Sequence, residues 1–127
     1  MTLHPNLYDR ICKETGQDQI EKIVRSFYER AFFDGIIGHF FFNHNHEDLI
    51  AKQTAFAKAM LGGPAEYKGK PLGPVHKSLG INDAHFGRRQ VIMREVLEEH
   101  KIPAHLAGEW LALEERLRPL ITGGPEC

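Results

Sequence analysis

One histidine, His76, lies in the segment "GKPLGPVHKSLGI" at residues 69–81, where helix-breaking residues surround it. These residues are Pro71, Pro74 and Gly80. Because proline and glycine interrupt helices, the segment predicts one short helix of about one and a half turns. A histidine there could pack in a core, face solvent or bind a metal ion, since the imidazole group suits all three environments.

Two polar side chains fall on the apolar faces of two different predicted helices. Tyr28 follows Val24 by one helical turn, and Gln53 precedes Phe56 by one turn. A buried hydroxyl or amide needs a hydrogen-bond partner, which can be the other side chain, the backbone, water or a ligand. The pattern therefore leaves a structural pair and a ligand site as alternatives.

Together these three polar residues favour a haem pocket. His76 would supply the axial base of the iron, with its second ring nitrogen held by a backbone acceptor. Tyr28 and Gln53 would donate hydrogen bonds to a diatomic ligand that gains negative charge from ferrous iron. Apolar and aromatic side chains would form the walls of the pocket: Phe40, Phe41, Phe56, Leu72, Val75 and Phe86.

Apolar residues recur at helical spacing along most of the chain, and no stretch alternates with a period of two. The pattern predicts an all-α fold. Helices are expected over about 6–16, 20–31 and 49–60, then from Asn82 or Asp83 onwards, and finally from Pro103. The last helix should turn one apolar stripe inward: Leu106, Trp110, Leu113, Leu117 and Leu120. Before the third helix, Phe40, Phe41 and Phe42 predict an aromatic cluster.

The composition indicates one domain over residues 1–127, with a core over about 6–122 and a short flexible C-terminal tail. With 16 Lys and Arg against 17 Asp and Glu, and no basic stripe, a nucleic-acid partner is not expected. No signal pattern and no membrane-spanning apolar run is found, so we expect a cytoplasmic protein without a membrane span. Cys12 and Cys127 are expected to be free thiols, and a tether for the C-terminal tail is the alternative.

Several motifs occur in an order and spacing that resemble the truncated haemoglobins, most closely those of group I. They are "FYERAF", "KQTAF", "AMLGGP", "YKG", "VHKSLGI" and "DAHF". The likeness covers nearly the whole chain. It implies a two-over-two helical sandwich around haem b, in which a short first helix opens the fold and a loop-like segment leads to the proximal helix.

The resemblance also implies roles for individual residues. His76 matches the proximal iron ligand, and Tyr28 and Gln53 match the distal pair that holds O2. Phe41 matches a phenylalanine that wedges against the haem. Leu49 matches the position where many other globins carry a distal histidine.

Further residues are expected near the haem by the same resemblance. Lys52 matches a lysine that in relatives contacts a haem propionate or occupies the sixth iron position, and a solvated lysine is the alternative. Tyr67 and Lys68 are expected near the haem edge. His46 is a second candidate for the sixth ligand, or a gate, because it lies about one turn before Leu49.

Other positions depart from the family pattern or suggest a different site. Arg89 and Gln90 stand where relatives often carry aliphatic or small residues, and Gly16 stands alone where relatives often carry a glycine pair. A polar cluster before the third helix has residue types that bind zinc, although turn residues preceding a helix explain most of it: His39, His44, His46, Glu47 and Asp48.

The resemblance implies a haem protein that binds O2, and also NO and CO, at ferrous iron. Nitric oxide dioxygenation with an external reductase, or a peroxidase-like activity, is one expected outcome. The alternative is a ligand sensor or redox haem module with an internal sixth ligand, Lys52 or His46. A haem-free bundle in which Tyr28 and Gln53 pair structurally is a third hypothesis. We expect a monomer or a weak homodimer.

Overall fold

A computed structural model gives the structure of the protein over residues 6–63 and 80–123. These residues are helical and contain no strand, which confirms the all-α prediction. In chain order the elements are α1 (Leu7–Thr15), α2 (Gln19–Ala31), a 3₁₀ helix (Gly38–Phe41), α3 (His46–Met60), α4 (Asp83–Glu99) and α5 (Ala104–Thr122). None of these helices is both long and apolar enough to cross a membrane.

Asparagine caps determine where three of the helices begin. Asn6, Asn45 and Asn82 each accept a hydrogen bond from the backbone N–H three residues later, at 2.8 to 2.9 Å. His85 completes a capping box, because its Nδ1 accepts from the Asn82 backbone N–H at 3.1 Å. Such caps contribute about 1 kcal/mol each by pairing N–H groups that the helix leaves free.

The helices form two packed pairs. Helix α2 lies against α3, α4 lies against α5, and contact between α2 and α4 joins the pairs, while α1 packs on α2 and α5. The predicted apolar stripes meet in the core that these contacts enclose, where the largest fully buried side chains are Trp110, Phe27, Phe86, Ile11, Ile20, Ile23, Ile92, Leu97, Leu106 and Val96.

The beginning of α1 is attached to the end of α3. The Asn6 Nδ2 donates to the Gly62 carbonyl oxygen at 2.6 Å, and the Tyr8 backbone N–H donates to the Leu61 carbonyl oxygen at 3.0 Å. A Cβ added to Gly63 would lie 2.5 Å from a carbon of the Tyr8 ring, so the chain can pass the ring this closely only with glycine.

The prediction that Leu120 lies on the inward stripe of the last helix was wrong because the residue is exposed, and Phe42, predicted in an aromatic cluster, is exposed as well. Leu120 is 51% exposed because the inward stripe of α5 continues through Glu114 and Ile121, and Leu120 is rotated by about 100° from Ile121. Phe42 is 75% exposed, since it follows a 3₁₀ helix that turns successive side chains in different directions.

Some predicted features lie outside the residues that the structure describes. They are the short helix carrying His76, the candidate pocket residues Tyr67, Lys68, Leu72 and Val75, and the C-terminal tail with Cys127.

Candidate functional site

A cavity of about 80 Å³ lies where α2, α3, α4 and α5 meet. Tyr28 from α2 and Gln53 from α3 both line it, so the structure brings the two predicted polar residues to one space. Most of the remaining wall is apolar or aromatic: Val24, Phe56, Ala57, Met60, Phe86, Met93, Trp110, Leu117 and Ile121. The cavity wall therefore includes Phe56 and Phe86, two of the residues predicted to form the walls of a pocket.

Aromatic packing holds the Tyr28 ring. Phe27 meets it edge to face at a centroid distance of 4.8 Å, and Phe41 meets it edge to face at 5.7 Å. Phe32 lies 5.7 Å away at a tilt of 41°. Contacts of this geometry contribute about 0.5–1.5 kcal/mol each beyond the area they bury. These aromatic neighbours therefore orient the ring.

Within residues 6–63 and 80–123, neither the Tyr28 hydroxyl nor the Gln53 amide makes a hydrogen bond. The two side chains do not pair with each other, so the structural-pair hypothesis has no bond to support it. Burial raises the pKa of the Tyr28 phenol to about 12, against the opposing positive charge of Arg89. The phenol therefore keeps its proton at neutral pH and is available as a donor.

A buried ion pair lines the same cavity. Arg89 donates two hydrogen bonds to Glu114, from Nη1 to Oε1 at 2.7 Å and from Nη2 to Oε2 at 2.9 Å. The Trp110 Nε1–H donates to Glu114 Oε2 at 2.9 Å, and Arg89 Nη1 also donates to Gln90 Oε1 at 2.6 Å. The side chain of Glu114 is only 5% exposed, while that of Arg89 is 24% exposed. The guanidinium also lies over the Phe27 ring at 4.8 Å.

Sequence reasoning noted Arg89 as unusual but missed Glu114 and Trp110 as part of the site. A signal was present, because Glu114 follows Trp110 by four residues and so falls on the inward face of α5. A carboxylate on a buried stripe requires a cationic or donor partner.

Three further predicted haem contacts among the described residues, Phe40, Phe41 and Leu49, do not line the cavity. Phe41 is half-buried beside Tyr28, and Phe40 is half-buried beside His85 at 5.0 Å between ring centroids. Leu49 is half-buried on α3.

The structure gives the two candidate sixth ligands other partners. The Lys52 side chain is 69% exposed, and its Nζ lies 3.0 Å from Asp48 Oδ2. The His46 ring stacks on Phe32, with 3.6 Å between centroids and 16° between planes. Neither residue lines the cavity.

The histidine-rich stretch before α3 does not gather its side chains. Across residues 6–63 and 80–123, no three His, Cys, Asp or Glu side chains form a group that could hold a metal ion. Glu47 instead pairs with Arg25 at 2.8 Å, and the Arg25 guanidinium lowers the pKa of the Glu47 carboxyl.

The donor set and the walls of the cavity fit the distal side of a haem. Two neutral donors that make no hydrogen bond to any residue of 6–63 or 80–123 face an otherwise mainly apolar space, as a bound gas that carries partial negative charge requires. The predicted axial base, His76, lies outside the described residues.

Comparison with known proteins identifies the fold. A family model described as "Bacterial-like globin" matches residues 6–122. The chain is 34% identical over 119 residues to a group 1 truncated hemoglobin of Mycolicibacterium paratuberculosis, with 94% of this chain and 85% of that protein covered. The chain belongs to the truncated haemoglobin family. A truncated haemoglobin of Tetrahymena thermophila, also of group 1, is 28% identical to it over 93% of this chain and 95% of that protein.

Solved structures support the same assignment. The crystal structure of truncated hemoglobin from Tetrahymena pyriformis in its Fe(III) form has a TM-score of 0.84 to this truncated haemoglobin at 26% identity, covering 92% of this chain and 97% of that one. A 2/2 hemoglobin from Synechococcus has a TM-score of 0.84 at 21% identity, a likeness of fold alone. The predicted two-over-two architecture is confirmed, and family membership implies haem and the binding of diatomic gases.

Proposed function

We propose that this truncated haemoglobin binds O2, and also NO and CO, at the ferrous iron of haem b. His76 is the proximal ligand in this proposal, and Tyr28 and Gln53 are the distal donors. One observation carries the proposal: two donor side chains from different helices line one cavity, and no hydrogen bond within the described residues engages either of them.

Haem, when bound, supplies a ferrous iron that binds a diatomic gas and shifts electron density onto it. Tyr28 donates its O–H and Gln53 donates an amide N–H to the gas. A hydrogen bond to a charged acceptor is worth about 1.5–3 kcal/mol, so each donor slows release of a ligand with negative character. The raised pKa of Tyr28, about 12, supports this role because the phenol stays protonated over the physiological range.

The remaining predicted contacts complete the haem environment in the proposal. Lys52, whose ammonium reaches solvent on α3, pairs with a haem propionate. The apolar and aromatic contacts are Phe40, Phe41, Leu49, Phe56 and Phe86, together with Tyr67, Leu72 and Val75 from the segment outside the described residues.

Nitric oxide dioxygenation is the reaction that we propose for this site. One NO, one O2 and one electron yield one nitrate ion, so atoms and charge balance. In this proposal a reductase supplies the electron to the globin unit at residues 6–122. Two distal donors suit this use better than rapid oxygen delivery, since they prolong the time for which O2 is held.

Absorption spectra of the purified protein with haem test the proposal. We expect a five-coordinate ferrous spectrum that converts to a CO adduct, and we expect His76→Ala to lose haem or change the axial ligand field. His105→Ala, at an exposed histidine on α5, is the matched control and should leave the spectrum unchanged. Failure of the protein to bind haem stoichiometrically would overturn the proposal. A six-coordinate ferrous spectrum without added ligand would instead support the sensor or redox hypothesis, with Lys52 or His46 as sixth ligand.

A further inference from the structure

We propose that Arg89 makes the cavity beside Tyr28 and Gln53 a binding site for a small monovalent anion, of the size of azide or nitrite. The inference rests on the proposed function, because the anion occupies the space that the proposal assigns to a neutral gas. It assigns the stabilisation of an anionic ligand in this cavity to one side chain, Arg89.

Placing the charged side chains of Arg89 and Glu114 in the cavity wall costs desolvation free energy. Glu114 is almost fully buried, and Arg89 is three-quarters buried in its side chain. Desolvation of two ions offsets much of their attraction, and apolar residues of similar volume are often as stable or more stable in such positions. An ion pair that lines a cavity is therefore weakly explained by stability alone, which points to a role in the cavity.

The Arg89 guanidinium has more N–H donors than its bonds to Glu114 and Gln90 use. A guanidinium has five N–H donors, and three of those on Arg89 bond to Glu114 and Gln90. Within residues 6–63 and 80–123, no hydrogen bond engages the Nε–H or the second N–H of Nη2. Both oxygens of Glu114 are already acceptors, one of them for Trp110 as well. The unused polar groups in this wall are therefore rich in donors, as anion binding requires.

The charges of Arg89 and Glu114 have opposite effects on the Tyr28 phenol. Burial is the largest cause of the raised pKa of Tyr28. Of the two charges, Arg89 lowers this pKa more than Glu114 raises it. The positive end of the ion pair therefore acts more strongly on the Tyr28 phenol than the negative end does. A negative ligand beside this phenol experiences net attraction from the pair.

The volume of the cavity is large enough for a small anion. A volume of about 80 Å³ is several times the roughly 10–15 Å³ that a cavity needs to hold one water molecule. A triatomic anion fits this space.

The test compares azide with CO as probes in the protein with bound haem. Arg89→Met with Glu114→Leu removes both charges and retains apolar volume, and we expect the dissociation constant of azide for the ferric form to rise about tenfold. The affinity of the ferrous form for CO, which is neutral, should change less than about threefold. Arg89→Lys keeps the positive charge and should retain most of the azide affinity.

Removal of an exposed ion pair is the matched control. Arg10→Met with Glu109→Leu deletes a pair whose side chains are 36% and 46% exposed, and azide binding should stay within about twofold of the unaltered protein. An unchanged azide affinity in the Arg89 and Glu114 variant, with a normal haem spectrum, would overturn the anion site and leave the proposed function intact. Absence of a haem spectrum would overturn the proposed function instead.

A crystal structure of the unaltered protein with azide gives a result that depends on no substitution. We expect an azide nitrogen within hydrogen-bond distance of Arg89 Nε or Nη2. Azide bound at the iron without contact to Arg89 would contradict the inference, even if the double variant failed to fold.

Discussion

The rings of Tyr28 and Phe41 meet edge to face, with their centroids 5.7 Å apart and their planes at 86°. Phe41 belongs to the 3₁₀ helix and Tyr28 to α2, so this contact ties the orientation of the distal phenol to the connection between α2 and α3. Phe32 touches both rings and completes a three-ring cluster. The cluster holds the ring without using the phenol hydroxyl.

Replacing Tyr28 with phenylalanine should accelerate O2 release by about 10-fold to 100-fold. The ring contacts remain, and only the hydrogen bond to the partly negative ligand is lost, at about 1.5–3 kcal/mol. Stopped-flow measurement of the O2 dissociation rate checks this. Tyr8→Phe is the matched control, because it deletes a hydroxyl on α1 outside the cavity and should leave the rate unchanged. Equal rates in Tyr28→Phe and the unaltered protein would remove Tyr28 from the donor role.

Breaking the internal ion pair should cost far more stability than removing it whole. Glu114→Leu leaves Arg89 without its buried partner, and we expect a loss of about 3–5 kcal/mol in the free energy of unfolding. Adding Arg89→Met to that variant should recover most of the loss. Glu109→Leu, which breaks the exposed pair with Arg10, should cost at most about 1 kcal/mol. Urea unfolding measures all three variants, and a Glu114→Leu loss as small as that of Glu109→Leu would contradict the prediction.

Asp34 should make stability depend on pH at the acidic end. Hydrogen bonds from Arg88 hold the pKa of the Asp34 carboxyl below its usual value, with further donation from the backbone N–H groups of Ile36 and Ile37. A lowered folded-state pKa contributes stability above the unfolded pKa of about 3.9, and that contribution is lost as pH falls through the folded value.

The corresponding variant is Asp34→Asn. At pH 7 it should lower the free energy of unfolding by about 1 kcal/mol, a modest amount because the Arg88 side chain is 36% exposed. The difference from the unaltered protein should shrink as pH falls below about 4. Arg88→Met should weaken the same pH dependence, since it removes the largest cause of the lowered pKa. Urea unfolding from pH 3 to 7 provides the measurement, and a difference that stays constant across this range would exclude the linkage.

Gly38 should tolerate no side chain. An added Cβ would lie 2.8 Å from the Phe32 carbonyl oxygen and 3.3 Å from that of Ala31, and backbone atoms cannot move aside easily. We expect Gly38→Ala to destabilise the protein by about 1–3 kcal/mol. Gly108→Ala, on α5 with no atom within 4 Å of the new Cβ, should stabilise it by about 0.5–1 kcal/mol. Thermal unfolding of both variants tests the contrast, and a neutral Gly38→Ala would show that the two segments can separate.

The helical stripes and caps were predictable because local rules determine them. The starts of α1 near residue 6 and of α4 at Asn82 or Asp83 were expected, and apolar positions three and four apart indicated helices with one buried face. Tyr28 and Gln53 were found for the same reason, since each interrupts an apolar stripe. Their meeting at one cavity follows from packing between α2 and α3, which no local pattern specifies.

The ion pair in the cavity wall shows where sequence reasoning stopped. Arg89 and Glu114 are 25 residues apart, and only the contact between α4 and α5 brings the charges together. The apolar residues of α5 alone do not identify Glu114 as buried, because a glutamate is rarely buried unless it is paired. Leu120 was misplaced for the same reason, since the stripe was followed through leucines and not through the buried glutamate.

The attachment of α1 to the end of α3 affects how the molecule opens. Asn6 and Tyr8 satisfy the carbonyl oxygens of Gly62 and Leu61, so α1 cannot fray without exposing the last turn of α3. The amide hydrogens of these two distant stretches should therefore exchange with solvent as one cooperative unit. Helix α1 has nine residues and would be unstable alone, so we expect it to open together with α3, the helix that carries Gln53.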